Sequence, residues 1–176
     1  MSKARVATVW LEACSGCHMS FLDMDEGLIG LADLIELVYS PLVDAKEFPE
    51  DVDLTLVSGG VGNEEELELL LEIRPRTDVL VSFGDCAVTG NVPALRNHMP
   101  VEDVLERTFV QEADVNPGVP DQVVSRLRPK VQPLHNFVEV DEYIVGCPPD
   151  AELIKFIVSE ILQGRIPGLG VRSRFG

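Results

Sequence analysis

Four cysteines carry the chemistry open to this sequence: Cys14 and Cys17 in a Cys-Ser-Gly-Cys pair, and Cys86 and Cys147, each far from that pair and from the other. Four soft sulfur ligands brought to one point suit a tetrahedral zinc ion or an iron-sulfur cluster. Structural zinc usually takes two close pairs on small knuckles, whereas one pair joined by two distant single cysteines makes a wider framework. That framework favours one 4Fe-4S cluster held by Cys14, Cys17, Cys86 and Cys147, although the residues alone leave structural zinc open. A dithiol oxidoreductase is the alternative of another class, because a Cys-x-x-Cys motif between a strand and a helix start is a common redox site. It gives Cys86 and Cys147 nothing to do. Gly16, Gly84 and Gly146 let backbone amides come close to sulfur, and Pro148 and Pro149 stiffen the segment after Cys147.

Convergence depends on the elements that carry these residues. Short, mostly apolar strands are predicted at Arg5 to Trp10, Ile35 to Ser40, Asp53 to Val57, Asp78 to Phe83 and Tyr143 to Gly146. Helical patterns are predicted over His18 to Leu31, Asn63 to Arg74 and Asp150 to Gln163, with Asn63 as an N-cap before the acidic run Glu64 to Glu66. Strands alternating with helices at this spacing predict a single α/β domain, a flavodoxin-like doubly wound parallel sheet. The cysteines follow the first, fourth and fifth of these strands, so all four fall at carboxyl ends, which share one rim of a parallel sheet. The stretch 109–136 carries Pro117, Gly118, Pro120, Pro129 and Pro133 and reads as an irregular insertion around one short helix. The tail 164–176 carries Arg165, Arg172 and Arg174 without acid and reads as a docking arm or a frayed terminus.

Composition narrows the partners. With 176 residues, 45% of them hydrophobic, the chain is large enough for one real core. A formal net charge of -16 repels a phosphate backbone, which excludes nucleic acid as a partner. Apolar runs are short and interrupted by acids, so no membrane span is expected, and the start MSKARVATVW lacks the pattern of a secretory signal. A cytoplasmic location follows as an expectation. Thiols there stay reduced, which again favours metal ligation over disulfides.

The segments VWLEACSGCHMSFLD, SFGDCAVTGNVPALRN and YIVGCPPDAELI resemble the three cluster-binding segments of nickel-iron hydrogenase small subunits, and the likeness runs over nearly the whole chain. The related cluster-bearing subunit of respiratory complex I typically has two adjacent cysteines in its first segment, where Ser15 and Gly16 here intervene. The length is similar to the short small subunit of soluble NAD-reducing hydrogenases. The resemblance implies that Cys14, Cys17, Cys86 and Cys147 hold the 4Fe-4S cluster nearest a nickel-iron centre in a separate large subunit. It further implies that electrons pass on to diaphorase subunits carrying FMN, iron-sulfur clusters and the NAD site. No residue of this chain is then expected to be catalytic. Two positions depart from the family: Ala13 and Ser58 stand where many members have Glu, so the proton route through those glutamates is not carried over. Glu12 and His18 flank the cysteine pair as candidates to carry protons or tune the cluster, against readings as a loop carboxylate and a first-turn histidine. Trp10 reads as a core or interface anchor.

Overall fold

The computed structural model describes residues 3–165 and Phe175. Its first half runs β1 (Ala4–Trp10), α1 (Gly16–Leu22), α2 (Glu26–Ala32), β2 (Ile35–Tyr39), β3 (Val52–Ser58), β4 (Val61–Asn63) and α3 (Glu64–Ile73). The second half runs β5 (Thr77–Phe83), α4 (Asp85–Thr89), α5 (Val101–Glu106), β6 (Leu127–Gln132), β7 (Glu142–Ile144) and α6 (Ala151–Leu162). Five strands form one parallel sheet in the order β2-β1-β3-β5-β7. This is the predicted doubly wound, flavodoxin-like sheet.

Strand periodicity divides the core in two. On one face Val6, Leu54, Leu56, Val81, Phe83 and Ile144 pack with Phe21 and Leu31 and with Ile154, Ile157 and Val158 of α6. On the other, Ala7, Val9, Val57 and Leu80 pack with Leu70 and Ile73 of α3 and with Ala87 of α4. Successive residues of β1 thus serve opposite layers, as the pleat requires, and apolar side chains on both faces are what a central parallel strand needs.

The helix predicted over His18 to Leu31 is instead two helices, broken at Asp23-Met24-Asp25, where Asp25 has a φ of 47°. Asp is a poor interior helix residue and tolerates the left-handed region, so the chain turns there while Met24 stays buried. The segment 109–136 also departs from expectation. A π-helical turn (Arg107–Gln111) continues α5, and a short 3-10 turn covers Leu134–Asn136. Between them β6 pairs antiparallel with β4 in a separate two-stranded sheet. Pro129 inside β6 argues from sequence against a strand, but on a two-stranded ribbon it can take an unpaired position. Of the arginines noted in the tail, Arg172 and Arg174 lie outside the described residues; Arg165 pairs with Glu160.

Asn63 caps α3 as the sequence predicts. Its Oδ1 accepts from the Glu66 N–H at 2.9 Å, and the Glu66 carboxylate accepts from the N–H groups of Gly62 and Asn63 at 2.8 and 3.2 Å. Ser125 also donates to Asn63 Oδ1 at 3.0 Å, which ties the start of α3 to the 109–136 segment. Asn63→Ala should therefore lower stability by about 1 kcal/mol, read from the urea-unfolding midpoint, whereas Glu65→Ala beside it should leave the midpoint nearly unchanged.

Candidate functional site

Each cysteine is set by where a strand stops. After β1 the chain crosses at Leu11 and Glu12 to pair with Gly60, with Glu12 and Gly60 exchanging two N–H···O bonds at 3.1 Å, and only then reaches Cys14. Ser15 adopts a φ of 67°, which turns the chain into α1 and places Cys17 in its first turn. Cys86 opens α4 directly after β5. Cys147 follows β7 across Gly146, whose φ is 143°, and its bond to Pro148 is cis.

The two single-cysteine loops are laced together. Gly84 N–H donates to Ile144 O at 2.7 Å, Asp85 N–H to Gly146 O at 3.0 Å, and Gly146 N–H returns a bond to Asp85 Oδ1 at 2.6 Å. Asp85 is a buried carboxylate committed to this join. Gly84 has a φ of 86°, and a Cβ there would overlap the Cys17 sulfur. Only glycine combines that backbone with that proximity.

All four thiols line one open pocket of about 50 Å³, walled also by Ala13, Ser15, Gly16, Ser58, Asp85, Gly146 and Pro148. Cys86 is buried and Cys17 half-buried, while Cys14 and Cys147 are exposed at the rim. Among the described residues, no three Cys, His, Asp or Glu side chains close on a point that would hold a single metal ion. Burial, and then the nearby Cys86, Cys14 and Cys147, push the Cys17 thiol up to about 12. Burial and the neighbouring Cys147 and Cys14 likewise raise Cys86. Four thiolates can coexist here only with cationic charge among them, which is what bound metal supplies.

A model of the family described as NADH ubiquinone oxidoreductase, 20 Kd subunit, matches residues 14–161, from the first cysteine to the end of α6. The chain belongs to this family. Within it, the chain is 41% identical to the delta subunit of the NAD-reducing hydrogenase HoxS of Cupriavidus necator, over 93% of this chain and 80% of that subunit. It is 35% identical to a subunit of the F420-non-reducing hydrogenase vhu of Methanocaldococcus jannaschii, over 94% of this chain and 58% of that protein. A chain of an NAD+-reducing [NiFe]-hydrogenase, solved in the H2-reduced state, superposes with a TM-score of 0.94 at 40% identity. That superposition covers 99% of this chain and 100% of the other. A [NiFeSe] hydrogenase chain from Desulfovibrio vulgaris Hildenborough shares the fold, with a TM-score of 0.62 at 17% identity over 93% of this chain and 60% of that one.

The flanking candidates of this family member fall in definite places. His18 is buried, with Nε2 3.1 Å from Thr8 Oγ1 and Nδ1 3.2 Å from Ser58 Oγ; Thr8 in turn pairs with Ser40 at 2.8 Å. The imidazole pins α1 to the carboxyl ends of β1 and β3, and burial lowers its pKa. Ser58 is its partner and lines the cysteine pocket. Glu12 is a half-buried carboxylate 3.6 Å from the Arg96 guanidinium, and a Cβ on Gly62 would overlap it. Arg96 also donates to the carbonyls of Gly62 and Arg128, so Glu12 joins a brace beneath the first cysteine loop. Trp10 is 45% exposed, which removes it from the core. Asn91 was missed: its amide donates to Cys147 Sγ at 3.3 Å. The Gly-Asn step after the Cys86 segment is the signal that marks such a turn.

Gly84→Ala should cost on the order of 1–3 kcal/mol through its left-handed backbone and the clash with Cys17. The double variant with Cys17→Ala should recover part of that cost in a double-mutant cycle of unfolding midpoints, and simple additivity would show that the sulfur contact is immaterial.

Proposed function

We propose that this chain is the electron-transfer subunit of an NAD-reducing nickel-iron hydrogenase and holds one 4Fe-4S cluster on Cys14, Cys17, Cys86 and Cys147. The observation that carries the reading is the meeting of four thiols, delivered by three separate strand ends, in one pocket. The donor set fits the group: four soft ligands, a backbone stripped of a Cβ at Gly84 where Cys17 lies, and an amide donor at Cys147. When bound, such a cluster supplies a one-electron carrier that makes and breaks no bond to substrate.

The chain's own residues then hold, orient and insulate. Cys17 and Cys86 anchor the inner side, Cys14 and Cys147 the outer, and the Asp85–Gly146 join keeps the last two strand ends in register. All four cysteines are committed to one cluster, so the nickel-iron centre belongs to a large subunit, and the FMN and NAD sites to diaphorase subunits. Exposed Trp10, Met19 and Val92, each within a few residues of a cysteine in sequence, supply apolar surface for such a partner to cover. Among the described residues no helix is long and apolar enough to cross a membrane.

Replacing Cys86 or Cys147 by Ser in the assembled complex should leave less iron and acid-labile sulfide per chain, because an iron loses its thiolate. A full complement of both in either variant would remove that residue from the ligand set. In the complete complex, Cys14→Ser should leave NADH oxidation by dyes at the diaphorase intact while hydrogen-dependent NAD reduction falls by at least tenfold. Undiminished coupling to hydrogen would overturn the electron-transfer role.

A further inference from the structure

Cys147 is followed by two prolines, Pro148 and Pro149, which have no backbone N–H to offer a sulfur. The donor that reaches Cys147 Sγ comes from another loop: Asn91 Nδ2, at 3.3 Å. The backbone around Asn91 is built to deliver it. Gly90 and Asn91 are consecutive left-handed residues, with φ of 88° and 35°, and Asn is among the few side-chain-bearing residues that enter that region readily. Gly90 N–H donates to Cys86 O at 2.9 Å, closing α4. Asn91 N–H donates to Thr89 Oγ1 at 3.3 Å, and Thr89 Oγ1 donates to Asp85 O at 2.9 Å. Ala94 N–H donates to Asn91 O at 3.1 Å.

We infer that Asn91 sets the reduction potential of the site: its amide N–H, held on Cys147 by the Gly90-Asn91 turn, raises the potential of the cluster. The inference rests on the four-cysteine reading above. Taking up one electron adds one negative charge to the cluster and its thiolates and moves no proton. A fixed N–H on sulfur interacts more strongly with the more negative state, so it favours reduction. The Asp85 carboxylate, which lines the same pocket, acts with the opposite sign. Asn91 is a tuning residue rather than a ligand, so its removal should move the potential without emptying the site.

The test uses the complete complex in three forms, wild type, Asn91→Gly and Asn91→Asp, with iron and acid-labile sulfide counted first. Potentials are then read by an EPR-monitored redox titration, the signal of this chain being the one lost in a Cys14→Ser complex. Gly accepts the left-handed backbone and removes only the donor, while Asp keeps the shape and replaces the donor with an acceptor. Both variants should retain iron and sulfide and titrate at lower potential than wild type, Asp lower than Gly. An unchanged potential in a fully loaded Asn91→Gly complex overturns the inference, as does a shift confined to Asn91→Asp, which would report charge alone. Should Asn91→Gly lose its iron, Asn91→Ser, which shortens the side chain out of reach of Cys147 without adding charge, is titrated in its place, and an unchanged potential there overturns the inference. A wild-type complex with no cluster on this chain would instead sink the four-cysteine reading itself.

Discussion

Parallel pairing of β3 with β1 on one side and β5 on the other is the constraint from which the rest follows. In register, Trp10 lies beside Ser58 and Ser58 beside Phe83, so three strands end level with one another. β7 adds a fourth end through the pairing of Phe83 with Ile144. Because the strands run the same way, everything that follows them leaves from one rim. The site is therefore a property of the sheet before it is a property of any loop.

The loops convert that coincidence of strand ends into a fixed pocket, and they do so mainly with backbone hydrogen bonds. Glu12 with Gly60, Gly84 with Ile144, and Asp85 with Gly146 each tie a cysteine segment to its neighbour. Side chains reinforce the ties where the backbone has no partner of its own. His18 spans the ends of β1 and β3, and Arg96 gathers Glu12 and the Gly62 carbonyl. Positive-φ residues at Ser15, Gly84, Gly90, Asn91 and Gly146 are concentrated in these loops, as expected where a backbone must bend sharply to aim side chains at one point.

Much of this is legible in the residues. Short apolar runs mark all five strands of the main sheet, and their alternation with helices implies the parallel order that brings the cysteines together. The break at Asp23-Met24-Asp25 is less visible, because apolar spacing continues through it while the backbone turns. The β4–β6 ribbon is hidden for a different reason. Its strands are short, widely separated in sequence and interrupted by Pro129, so they are stabilised by each other and by the Asn63–Ser125 contact rather than by local propensity. The Gly90-Asn91 turn and the two prolines after Cys147 are visible as residue types, but that the Asn91 amide meets Cys147 Sγ depends on how the two loops are placed at the sheet rim.

The pocket is not symmetric: Cys17 and Cys86 sit inside the protein, while Cys14 and Cys147 stand at its open side. A partner laid over the open side replaces water with protein there and strengthens every charge interaction within. On the proposed reading, docking and the gain of an electron then share a thermodynamic cycle. Whatever factor assembly imposes on the ease of reduction, reduction must impose equally on the affinity of assembly. The half-open pocket thus makes the oxidation state of this chain a term in how tightly its complex holds together.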